Sequence, residues 1–167
     1  MRLQELLTLA FAPLGGALGV GSLALMGPWS PLALDEATGR LAAGDTRGAI
    51  AAYERAGVGW HTPELRAEAW ARSAYLRRAE GDPRGAVRAL ERAVDLEPAQ
   101  TDRIALLEEL GALYEGPLGD PRACAEAFEH AAAELGSAAD ERAAARCWRR
   151  AENDAAAELA LERAASG

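Results

Sequence analysis

Lysine is absent from the 167 residues, so all 18 basic side chains are arginines, and 26 acidic ones outnumber them. The formal charge of -8 argues against non-specific binding of nucleic acid, which needs a surplus of the opposite sign. Histidine is nearly missing: His61 and His130 have neither a second histidine nor a suitably spaced cysteine nearby, so no metal site is expected. Cysteine is scarce too. Cys124 and Cys147 are too few for a disulfide framework, and each reads as a small core residue; a bridge between neighbouring helices is the alternative in an oxidising compartment. β-Branched residues are few and no strand-like alternation persists, which excludes a sheet and leaves an all-α chain. Ser-His-Asp, Cys-His and HExxH arrangements and phosphate-cradling glycines are all wanting, and acidic pairs such as Glu108 and Glu109 read as a solvated helix face. The expectation is a non-enzymatic protein with no cofactor.

Charge itself is missing from one stretch. Between Leu6 and Met26 no side chain is ionisable, and 21 such residues in a helix reach about the thickness of a bilayer core. The expectation is a transmembrane anchor, with a cleaved export signal and a soluble apolar segment as the alternatives. Gly15 and Gly19 form a GxxxG face on which two membrane helices could pack closely. Arg2 is the sole basic residue before the segment, which favours a cytoplasmic N-terminus and, in a bacterial cell, an extracytoplasmic location for the remainder.

What is plentiful is alanine, leucine, glutamate and arginine in a recurring pattern. Gly44-Asp45, Gly81-Asp82 and Gly119-Asp120 are each followed, five positions after the glycine, by a small residue: Ala49, Ala86 and Cys124. A large apolar residue comes four later (Tyr53, Leu90, Phe128), and an alanine three beyond that (Ala56, Ala93, Ala131). Glycine ends one helix and Asp caps the next, so each block is an αα-hairpin that must stack on others to bury its apolar faces. Residues 1–5 form a flank, 6–26 the anchor or signal-like segment, 27–31 a connector and 32–167 the repeat domain. Its units are about 32–57, 67–100, 104–136 and 138–167.

On these residues the chain resembles the tetratricopeptide repeat (TPR) family. Trp70, Ala74, Gly81, Ala86, Leu90, Ala93 and Pro98 stand at the family's positions, although Arg77 occupies the usual Tyr position. The next unit carries Leu107, Leu110, Gly111 and Tyr114, and its lengthened loop, EGPLGD, gives residues 104–136 a Sel1-like character. The resemblance implies an all-α solenoid of about three to four αα-hairpins that binds a peptide or helix of another protein in a concave groove. As a membrane-anchored adaptor or scaffold, or alternatively an accessory subunit of a membrane complex, the chain would also engage the bilayer through residues 6–26. A homo-oligomer fits the same reading.

Carried onto this sequence, the family's groove positions select Arg72, Tyr75, Arg78, Glu108, Arg142, Arg146 and Arg149. The last three share one helix face and form, with Arg150, a dense basic patch. Two roles are open for them: pairing with Glu141, Glu152 and neighbouring acids, or receiving an acidic segment of a partner. The Lys and Asn clamp that chaperone-binding members use has no counterpart here.

Overall fold

A computed structural model describes residues 32–59, 61–97 and 99–166. Eight α-helices follow one another through them: α1 (Leu32–Ala42), α2 (Thr46–Val58), α3 (Pro63–Ala79), α4 (Pro83–Leu96), α5 (Gln100–Leu113), α6 (Pro121–Leu135), α7 (Ala138–Arg150) and α8 (Asp154–Ser166). Each helix packs antiparallel on its predecessor, so α1/α2, α3/α4, α5/α6 and α7/α8 are four hairpins stacked into a solenoid.

One local device builds every hairpin. A residue in the left-handed region ends the first helix: Gly44 at φ 79°, Gly81 at 79°, Gly119 at 61° and, without a glycine, Glu152 at 57°. The next side chain then accepts a hydrogen bond from the backbone N–H three residues on: Asp45 from Gly48 at 2.9 Å, Asp82 from Gly85 at 2.8 Å, Asp120 from Ala123 at 3.1 Å and Asn153 from Ala156 at 3.2 Å. Each such cap satisfies a donor that the first helical turn would otherwise leave unpaired. Arg40 and Arg77, one repeat apart, reach the outer carboxylate oxygens of Asp45 and Asp82 at 3.0 and 2.7 Å. Arg77 also binds Glu54 of α2, so the arginine that replaces the family's tyrosine ties two hairpins together.

The third hairpin carries one residue too many for this turn. It is absorbed in a π-helical turn, Tyr114–Leu118, after which Gly119 and Asp120 resume the motif. Tyr114 packs beneath it, and burial followed by the charge of Glu91 pushes its phenol up to about 12.

Small residues set the spacing between helices. A Cβ on Gly111 of α5 would come 2.6 Å from the Phe128 ring of α6, and one on Gly57 would come 2.4 Å from Trp70. The main core lies between α3, α4, α5 and α6 around Trp70, Leu90, Ile104, Leu107 and Leu110. A smaller one joins α6 to α7 through Ala125, Phe128, Ala143 and Ala144. Within it Cys124 and Cys147 are bonded to each other and fully buried, with their Cα atoms 5.9 Å apart. They are therefore not separate thiols: alanines on both helices let the backbones approach to bridging distance.

The transmembrane helix expected over residues 6–26, with its Gly15 and Gly19 packing face, lies outside the described residues. Among the described residues no helix is long and apolar enough to cross a membrane. The longest, α3, has 17 residues and carries Glu64, Arg66, Glu68, Arg72, Arg77 and Arg78 along its length. The fold is thus corrected to an all-α solenoid of eight helices, with no spanning element among the described residues. The membrane-anchored adaptor, the membrane-complex subunit, the membrane as a partner and the single-pass, extracytoplasmic location all rested on that helix, and none of the described helices supports them.

Candidate functional site

The first helices of the four hairpins, α1, α3, α5 and α7, line one face. Two contacts cross between them: Arg78 of α3 pairs with Glu109 of α5 at 2.9 Å, and Glu108 of α5 stands against Asp140 of α7. Counting back from the left-handed turn residue gives a common register. Leu41, Arg78 and Arg149 each precede it by three positions; Tyr75 and Arg146 precede it by six. Side chains in equal register point the same way, because the hairpins are built alike.

At one end this face is apolar. An open cavity of about 380 Å³ lies between α1, α2 and α3, lined by Leu41, Tyr53, Ala71, Tyr75 and Leu76. Tyr75 is 59% exposed and Leu41 39% exposed. The charges at its rim, Glu68 and Arg72, are paired with each other at 2.5 Å, and the Arg72 guanidinium lies 5.9 Å from the Tyr53 ring centroid. Arg78 stacks 5.6 Å from the Tyr75 ring.

The middle of the face is acidic. Asp140 is 5% exposed, in the first turn of α7, and Glu108 meets it from α5. Partial desolvation, then the negative charge of Asp140, raises the Glu108 carboxyl above its usual value of 4.5. The folded chain therefore holds this proton more tightly than the unfolded chain. The stability it contributes is fully present below the ordinary glutamate value and is lost as pH rises through the raised one. Glu108→Gln should accordingly raise the urea midpoint at about pH 7 and leave it nearly unchanged at about pH 4. Equal shifts at both pH values would contradict the charge repulsion.

The far end is basic. Arg142, Arg146 and Arg149 are exposed on α7, and among the described residues no carboxylate lies within ion-pair distance of any of them. Glu141, a candidate partner in the sequence, is taken by Arg163 of α8 at 2.7 Å, and Arg163 also holds Glu129 of α6 at 2.7 Å. Arg150 points elsewhere and pairs with Glu115 at 3.5 Å. The basic patch therefore narrows to three arginines.

Of the groove positions selected from the sequence, the structure joins Arg72 and Tyr75 at one cavity, stacks Arg78 on Tyr75 beside it, and sets Glu108 in the middle. Arg142, Arg146 and Arg149 stand apart at the α7 end. Leu41 and Tyr53 were missed, because they belong to the first hairpin; the register of Leu41 before Gly44 was the signal that could have found it. Asp140 was missed because nothing local marks a first-turn aspartate as buried.

Glu115, Cys124 and Cys147 form a cluster of ligand-type atoms within 4.8 Å of one another, but the two sulfurs are committed to their mutual bond. The Ser73 hydroxyl donates to the Glu54 carboxylate at 3.1 Å, but Ser73 is fully buried between helices.

Three solved structures share this arrangement. Two crystal structures of MamA superpose with TM-scores of 0.55, at 19% and 20% identity, covering 80% and 79% of this chain and 75% and 69% of theirs. A Podosopora anserina kinesin light chain with nearly identical TPR-like repeats superposes at 0.53 and 20% identity, covering 78% of this chain and 70% of its own. The fold is TPR-like. No family model and no curated protein sequence matches the chain. At such identity the likeness establishes the fold alone, a stacked αα-hairpin scaffold.

Proposed function

We propose that the chain is a non-enzymatic protein-interaction module that binds an acidic segment of a partner protein along the face made by α3, α5 and α7. The carrying observation is the state of its arginines. Arg40, Arg55, Arg72, Arg77, Arg78, Arg103, Arg122, Arg150 and Arg163 pair with carboxylates. Of the described arginines without an ion pair, Arg47, Arg84, Arg88 and Arg92 lie on second helices and Arg66 donates to the Gly57 carbonyl, which leaves Arg142, Arg146 and Arg149 as the unpaired cations on the face of the first helices. In a chain of net charge -8, three unpaired cations on one helix face are a surface complementary to an incoming acid. Arg72, Tyr75, Arg78 and Glu108 belong to the same groove. The lengthened loop around the π-helical turn supports a Sel1-like character for residues 104–136 within this TPR-like scaffold.

Replacing Arg142, Arg146 and Arg149 together by alanine should weaken capture of a glutamate-rich peptide by about tenfold, each exposed contact being worth about 0.2–1 kcal/mol. The loss should shrink as salt is raised. Capture that the triple variant leaves unchanged would dismiss the patch.

A further inference from the structure

We infer that the groove takes an extended partner segment with an apolar residue at one end and acidic residues at the other. The apolar side chain fills the cavity between α1, α2 and α3, and the acidic ones meet Arg142, Arg146 and Arg149. This rests on the reading of α7 as the acid-binding end and adds a second anchor and a polarity to it.

The cavity has the size and lining of a side-chain pocket: about 380 Å³, walled by Leu41, Tyr53, Ala71, Tyr75 and Leu76. Glu68 and Arg72 at its rim neutralise each other, so the cavity presents no net charge and favours an apolar occupant. Leu41 and Tyr75 leave large apolar surfaces exposed at this one place, and filling the cavity removes them from water. They share register with Arg149 and Arg146, which places both anchors on one face.

The surface between them sets what can pass. Ala112 of α5 offers a small side chain there. Glu108, with Asp140 beneath it, repels an acidic residue, and Glu109 is already paired with Arg78. The occupant is therefore neutral or basic in its middle and acidic only beyond α5. The hairpin of α5 and α6 lies between the two anchors, so the occupant crosses α5 in extended form.

Fluorescence anisotropy on the full chain tests this with three labelled synthetic peptides of about ten residues. One has a leucine pair, a Gly-Ser spacer and a glutamate run; the second replaces the leucines by serines; the third moves the glutamates to the centre. The first should bind about tenfold more tightly than the second, and the third most weakly of all. Tyr75→Ala with Leu41→Ser should abolish the advantage of the first peptide and leave the second unaffected. Arg146→Ala should weaken both. Equal affinity for the first two peptides overturns the apolar anchor while leaving the acid-binding reading intact. An advantage seen only after removal of residues 1–31 also overturns it, since the cavity would then belong to the chain's own apolar segment. If no peptide binds, or if Arg146→Ala changes nothing, the acid-binding reading fails as well.

Discussion

Removing the bridge between α6 and α7 is expected to lower the unfolding free energy by about 3 kcal/mol, through closure of the loop between Cys124 and Cys147 in the unfolded chain. The sequence separation is 23 residues, long enough for a sizeable entropic contribution. Beside the Arg163–Glu129 and Arg150–Glu115 ion pairs, the contact between the two hairpins here is Phe128, the half-buried Trp148, alanines and the cysteines themselves. Cys124→Ala with Cys147→Ala, or reduction of the native chain, should shift the urea transition to lower concentration. In a solenoid, where each hairpin is supported only by its neighbours, α7 and α8 should lose protection from hydrogen exchange first. The effect should extend to binding, because Arg146 adjoins Cys147 and the bridge fixes the rotation of the helix that displays the three arginines. Identical urea midpoints with and without reductant would reject the bridge as a stabilising element.

Leu90→Ala is the second large effect, expected to cost about 3 kcal/mol within the range of about 2–5 for buried leucines. Leu90 of α4 is fully buried and packs with Trp70, Val87, Ile104 and Leu107 in the core that spans the second and third hairpins. Those hairpins are coupled to both ends, so the loss should appear as an earlier global transition, not as fraying of one unit. Leu159→Ala is the matched control, because Leu159 of α8 is largely exposed and should cost only a few tenths of a kcal/mol. Similar losses for the two variants would mean that the core is not where the structure places it.

Much of the scaffold was legible because its signals are local. Gly-Asp punctuation, Pro83 and Pro121 in first helical turns, and alanine at matched offsets act within one turn or one hairpin. Glu152 shows the limit: it occupies the left-handed position that glycine holds in the other three turns, and only the Asn153 cap after it betrays the motif. The membrane helix was an inference from apolar length, and it receives no support from the described helices, which are short and bear charges. Arg77 looked like a departure from the family pattern; in three dimensions its links to Glu54 and Asp82 replace a packing contact by an ionic one.

The amino-acid sequence by itself determined the helices, their turns and the stacking of hairpins, since these follow from capping, backbone freedom and the three- and four-residue spacing of apolar side chains. Only the tertiary structure decided which charges are satisfied. Glu141 could have served Arg142 or Arg146, yet Arg163 takes it from α8, 22 residues away in sequence. Only the tertiary structure joined Cys124 to Cys147 and opened a cavity between Leu41, Tyr53 and Tyr75. Such pairings depend on the distance and rotation between helices, which interface side-chain volume sets and no single helix encodes.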